Sequence, residues 1–403
     1  MKNKNGLLWT LIFALLLTGA GYFGLNASAP KAQDGLTALE GSAESIPADA
    51  VVDEYDAEEA ANAAQAQVEA DYARLVDGLD AYPADSVVLR VGGQEYTWDQ
   101  YYYILSSYLS SLLYQVGYLP ESFDVDVGGM TMDEYLRDMV NRYFCVCAAL
   151  DERGGEAADK EAVEAEIAAN WDALCEQNGG EEGMIPLLKD NFMTKNSFTY
   201  FNRNQLYGLA LQDSLYGIGG ADLTDEQLVA WAEEDGLVRC KHILLLTNGE
   251  DMTDADKAAA LSSMEAYLED LKALEGDNEA LEAKFDELMN EVSEDTGLVL
   301  NPDGYIFGRG EMVQPFEEAA FVLEDYQLSD VVETDYGYHI LLRLPMEKGI
   351  VADVDQSTYE LIELQQVVAE DLFAHQVEEW EADYTPEVTA EFADLTVDGL
   401  LNR

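Results

Sequence analysis

The chain has three histidines, and two of them open the same tetrapeptide: His242-Ile243-Leu244-Leu245 and His339-Ile340-Leu341-Leu342. An imidazole donates and accepts hydrogen bonds at once, and its ordinary pKa lies near neutrality. Two such rings at the heads of two apolar runs are either a coincidence or a pair of adjacent strands feeding one site. A single histidine at a strand start is more often structural than functional. The other candidates are Asp295, in Ser293-Glu294-Asp295-Thr296, and the apolar pair Met312 and Phe316. Read alone, Asp295 is a loop carboxylate or a helix cap, and the pair is core.

The elements that must position these residues can be read from pattern. Residues 238–246 form a mostly buried strand ended by Asn248-Gly249. Thr253 caps a helix with Leu261, Met264, Leu268 and Leu271 inward, and a second helix covers 279–292. Short strands at 304–307 and 337–344 flank a helix at 315–322. This is an α+β unit with a small antiparallel sheet. Upstream, residues 86–97 read as a hairpin turning at Gly92-Gly93, and the texture is helical from Trp98. Capping boxes stand at Thr131-x-x-Glu134 and Thr224-x-x-Gln227, and one more helix covers 160–176. Downstream, Ser357-x-x-Glu360 reads as the cap of a long helix carrying Leu361, Leu364, Val368, Leu372, Phe373 and Trp380. Its apolar face requires a partner, and the upstream helices are the obvious one. The α+β unit is therefore expected to be inserted in a mainly α-helical domain. The expected boundaries are 84–235 and 347–386 for the helical domain, 236–346 for the insertion, and 387–403 for an unplaced tail.

Composition narrows the partners. The 403 residues include 81 acidic and 21 basic ones, a net charge of −60. Such a chain repels nucleic acid and anionic lipid. A solubility adaptation to salt or to an anionic exterior is the plain reading; calcium binding is the weaker one, because no loop of the Asp-x-Asp-x-Asp-Gly kind followed by a suitably spaced Glu occurs. Lys2 and Lys4 precede an apolar run over residues 6–25, so 1–33 reads as a membrane anchor or a signal peptide. Ala27-Ser28-Ala29 suits a signal peptidase, but Pro30 would hinder it, and both readings stand. Either way the rest is exported. An acidic linker follows over 34–83, with a helix near 58–79. Cys145, Cys147, Cys175 and Cys240 form no Cys-x-x-Cys and read as buried thiols, with one inter-helix disulfide left open. His375, at the margin of the last helix's stripe, reads as structural. No metal or cofactor is expected.

Three blocks carry a resemblance: residues 240–245, the run from Phe307 through Phe316 to Phe321, and residues 332–343 around His339. Together they resemble the parvulin family of peptidyl-prolyl cis/trans isomerases, over about a quarter of the chain. The wider layout is similar to exported bacterial foldases of the PrsA and SurA type. The resemblance implies that His242 and His339 form a paired site, with Asp295 near the reacting bond and Thr334 as a hydroxyl beside the histidines. It implies that Met312 and Phe316 hold the proline ring, with Phe307 and Tyr336 as further substrate contacts. The loop departs from the family's Gly-Gly-Asp-Leu-Gly: it reads Leu300-Asn301-Pro302-Asp303-Gly304-Tyr305. The basic cluster of phosphorylation-directed members is absent, and Glu311, Glu317, Glu318 and Asp335 crowd the region instead. The expected function is an extracytoplasmic, non-phospho-specific isomerase acting on unfolded exported polypeptides. The alternative is a holdase on an inactive parvulin scaffold.

Overall fold

The structure, a computed structural model, describes residues 54–249, 251–355 and 360–402. The expected anchor at 1–33, the linker up to 53 and the cap Ser357 lie outside the described residues. Among the described residues no helix is long and apolar enough to cross a membrane. The chain divides into two compact units. One combines the segment up to Leu211 with Ala374–Arg403, and the other is Gln212–Phe373.

In the first unit, helix α1 (Glu54–Gly78) precedes a hairpin of β1 (Val87–Val91) and β2 (Gln94–Thr97). Gly92 and Gly93 turn it with φ of 58° and 83°. Two successive positive φ values are what a two-residue hairpin turn needs, and glycine supplies them without strain. Five helices follow: α2 (Trp98–Val116), α3 (Met132–Ala157), α4 (Lys160–Gln177), α5 (Glu181–Asp190) and α6 (Lys195–Tyr216). Thr131 and Glu134 close the expected capping box on α3. The unplaced tail is part of this unit. Its Glu387–Val388 pairs antiparallel with β1, and Phe392, Val397, Leu400 and Leu401 are buried. All four cysteines are free thiols, and Cys175 is only partly buried.

The second unit opens with α7 (Asp225–Asp235), capped by Thr224 and ended by left-handed Gly236. Then come β3 (Val238–Leu246), α8 (Asp254–Lys272), α9 (Asn278–Val292), β4 (Tyr305–Phe307), α10 (Gln314–Ala320), β5 (Val332–Glu333) and β6 (Gly337–Leu344). The antiparallel sheet has the order β4-β3-β6-β5. Its centre answers the question of the repeated tetrapeptide. Ile243 faces Ile340, His242 faces Leu341 and Leu244 faces His339. The repeat pairs with itself head to tail. Because side chains alternate along a strand, both histidines then fall on one face, diagonally opposed. Ile243, Ile340 and Leu342 fall on the other, packed on Met264, Leu271, Leu281 and Phe285 of α8 and α9. Two charges of β3 share that second face. Lys241 is paired with Glu282 at 2.9 Å and Asp286 at 2.7 Å, and Arg239 donates to the carbonyls of Asp303 and Pro345.

Beyond Cys240, β3 has no β4 beside it. There Glu294 N–H donates to Leu244 O, Ser293 Oγ accepts from Leu244 N–H, and the Glu294 carboxylate accepts from Leu246 N–H. Residues 293–294 thus clip the open edge and deliver Asp295 to the histidine face.

The returning helix is shorter than the pattern implies. α11 is Leu364–Glu381; Leu361–Glu363 is instead a strand, β8, paired with β7 (Val351–Val354). Leu361 fits the helical stripe by spacing, yet it is 57% exposed. The hairpin partner, invisible to local periodicity, takes these backbone groups, and Leu364 N–H bonds to Ile350 O where the helix begins. His375 lies exposed on α11.

Gly304, ahead of β4, has φ of 95°, and a Cβ there would sit 2.8 Å from Cys240 O. Gly304→Ala should therefore cost the second unit about 1–3 kcal/mol, read as a lower urea midpoint for its transition.

Candidate active site

The two histidine rings are stacked, with centroids 5.4 Å apart and planes 13° from parallel. Their Nδ1 atoms are 3.2 Å apart. His242 Nε2 lies 2.8 Å from Asp295 Oδ2, and His339 Nε2 lies 2.8 Å from Thr334 Oγ1. Tyr305 donates its hydroxyl to Asp295 Oδ2 at 2.7 Å, and the Gly297 N–H donates to Oδ1 at 2.9 Å. Four residues named by resemblance thus form one continuous chain of hydrogen bonds.

The electrostatics give this chain a direction. Burial pushes the Asp295 carboxyl up, but the hydrogen bonds from His242, Tyr305 and Gly297 outweigh it and hold the group below the usual carboxylate range. Burial, helped by the neighbouring His242, lowers His339 to about 4. At neutral pH Asp295 is therefore an anion that only accepts, and His339 is neutral. The Asp295 anion calls for a hydrogen on His242 Nε2, and with one hydrogen on each ring the His242 Nδ1 accepts. His339 must then donate from Nδ1 and accept at Nε2 from the Thr334 hydroxyl. Thr334 Oγ1 in turn accepts from Tyr336 N–H at 3.1 Å. Burial first, and the adjacent anion second, push the Tyr305 hydroxyl upward, so it stays a donor.

Beside this relay lies a cleft of about 280 Å³ lined by His242, Leu244, Asp295, Tyr305, Glu311, Met312, Val313, Phe316, Tyr336 and His339. Its volume is near the lower end for small-ligand pockets, right for one ring and its flanking bonds. α10 positions Phe316 edge-on to both imidazoles, at 5.2 Å from His242 and 5.4 Å from His339. Gln314-Pro315 starts that helix in the usual manner, with proline in the first turn. Of the substrate contacts named by resemblance, Met312, Phe316 and Tyr336 reach the cleft. Phe307 does not. It is 1% exposed and stands behind Phe316 at 5.8 Å, so it supports the wall rather than touching the cavity. Leu244, Val313 and Tyr305 also line the cleft, and sequence reasoning passed over them. Strand alternation was a usable signal for Tyr305, which shares a side of β4 with Phe307.

The site carries a stability signature. His339 folds with a pKa near 4, below its ordinary 6.5, so on acidification the unfolded chain binds the proton first. Its contribution is whole above pH 6.5 and is lost as pH falls from 6.5 to 4. Asp295 is depressed too, and its contribution goes below the ordinary carboxyl value of 3.8. His339→Gln should therefore remove up to about 3 kcal/mol of the pH dependence between those limits. The check is the parent-minus-variant unfolding free energy, which should shrink steadily from pH 7 to pH 4.

Residues 242–344 match the rotamase family described as the PPIC-type PPIASE domain. The chain is 35% identical over 111 residues to peptidyl-prolyl cis-trans isomerase Pin1 of Arabidopsis thaliana, covering 26% of this chain and 93% of that protein. It is 32% identical over 195 residues to foldase protein PrsA of Halalkalibacterium halodurans, covering 46% of this chain and 52% of the relative, about half its length. Among solved structures, PrsA from Bacillus subtilis is similar over 64% of this chain and 89% of that one, at 20% identity and a TM-score of 0.23.

Proposed function

The chain belongs to the PPIC-type peptidyl-prolyl cis-trans isomerase family, the parvulins, and from that premise we propose that it is an extracytoplasmic foldase acting on unphosphorylated Xaa-Pro bonds of unfolded exported chains. The observation that carries the proposal is the directed relay Thr334–His339–His242–Asp295 along one wall of an apolar cleft.

Rotation about an Xaa-Pro bond meets a barrier of about 18–20 kcal/mol from amide resonance. Unaided exchange takes on the order of tens to hundreds of seconds. No covalent bond breaks, so the site needs no nucleophile. It needs a dry slot for the ring and fixed polar groups that favour the twisted amide over the planar one. In this reading Met312, Phe316 and Leu244 hold the ring, and Tyr336 closes the rim. Asp295, with Oδ2 engaged by His242 and Tyr305 and Oδ1 by the Gly297 N–H, fixes the network and keeps a negative charge at the cleft wall. The histidines orient the site by hydrogen bonding and move no proton in the reaction.

The carboxylates of Asp295 and Glu311 on the cleft favour unphosphorylated substrates, because a phosphate would be repelled. Lys2, Lys4 and the apolar run over residues 6–25 support the export part of the proposal, as does the resemblance to PrsA. The domain limits 84–235, 236–346 and 347–386 are kept as part of the proposal, with the helical portion receiving the unfolded chain.

Isomerase assays on the full chain test this. Asp295→Ala and Phe316→Ala should each lower kcat/KM by about 10²-fold or more while circular dichroism is unchanged. Unphosphorylated peptides should be preferred over phosphoserine-proline ones by at least about tenfold, and equal rates would refute the specificity. Folded parent with no turnover, but with suppression of client aggregation, would establish the holdase instead.

A further inference from the structure

We propose that Tyr305 is a positioning residue for Asp295 and that Gly297 is its obligatory counterpart, the missing side chain leaving the space that the phenol hydroxyl fills. The proposal rests on the role given to Asp295 above.

Three segments converge on the one carboxylate. β3 brings His242 Nε2 to Oδ2, β4 brings the Tyr305 hydroxyl to the same oxygen, and the turn at 296–299 brings the Gly297 N–H to Oδ1. Two donors on Oδ2 and one on Oδ1 fix the plane of the group as well as its charge. Without the phenol, Oδ2 keeps a single donor and the carboxylate can swing about it. Tyr305 is itself held firmly. Its backbone pairs with Cys240 in the sheet, and its ring meets His242 edge-on at 5.4 Å.

Gly297 limits this arrangement. A Cβ on it would lie 2.2 Å from the Tyr305 hydroxyl oxygen and 3.4 Å from Cζ. The hydroxyl oxygen could not stay, whereas the ring carbon could. Gly297 has no left-handed φ, so its backbone accepts alanine. The severe clash of Gly297→Ala is therefore with the Tyr305 hydroxyl oxygen, and deleting that oxygen removes it; the contact left with Asp295 Oδ1, at 3.3 Å, asks the carboxylate to give by a few tenths of an ångström.

This gives a double-mutant cycle on the full chain: parent, Tyr305→Phe, Gly297→Ala and both together. Tyr305→Phe keeps the cleft wall, so kcat should fall about tenfold with KM little changed. Gly297→Ala should do the same by displacing the hydroxyl. The double variant should lie closer to Tyr305→Phe alone than to the product of the two losses. With three histidines in the chain, the ¹⁵N spectrum of histidine-labelled protein is easily assigned. The His242 Nε2–H signal should move toward mixed tautomers in both single variants. Additive losses in the double variant, or an unmoved His242 signal in Tyr305→Phe, would reduce Tyr305 to a piece of wall. If Asp295→Ala left turnover intact, the catalytic reading would fall, while the His242 signal would still decide the positioning. Should Gly297→Ala fail to fold, Tyr305→Phe alone decides by the same two readouts.

Discussion

Everything in the second unit depends on the register at which β3 meets β6. A shift of β3 by one residue would turn Ile243 out of the core and His242 out of the site, leaving Ile340 and His339 without their partners. The self-complementary tetrapeptide makes the correct register the one that buries both isoleucines against α8 and α9. Core packing and site assembly are therefore the same event. The edge clip at residues 293–294 follows from it, since Asp295 reaches His242 only because Leu244 and Leu246 present their backbone groups to that segment.

The relay built on this register has a polarity set at its anionic end. Asp295 decides which nitrogen of His242 carries hydrogen, and that choice passes through His339 to Thr334. A proton added to the pair would reverse the intermediate bonds and turn the Thr334 hydroxyl toward Gly337 O, 3.4 Å away. Burial keeps His339 neutral across the neutral range.

Much of this was legible beforehand, for local reasons. β3 and β6 are continuous apolar runs, and Thr131, Thr224 and Thr253 announce their helices with a hydroxyl and an acid or amide three residues on. The paired histidines emerged from rarity and repetition, helped by family likeness. What escaped depends on contacts distant in sequence. Leu361 satisfies a helical stripe until β7 pairs with its neighbours. Glu387–Val388 has no strand signal apart from its partner β1. Phe307 and Tyr305 share one side of β4, yet only the packing of Phe316 against Phe307 separates the buried ring from the one that reaches the cleft. Tyr305 also needed the empty space at Gly297, which no spacing rule reveals.

The shape of the sheet has a further consequence for a protein whose proposed substrates are unfolded. Such chains are extended, and their unpaired amides readily add to an open strand. Here the outer strands β4 and β5 have three and two residues, and the uncovered stretch of β3 is closed by its own loop. A passing segment finds no long ladder at the edges of this sheet to join. Under the proposed function, a client would be gripped by the ring of one proline and released again, without being templated into this sheet.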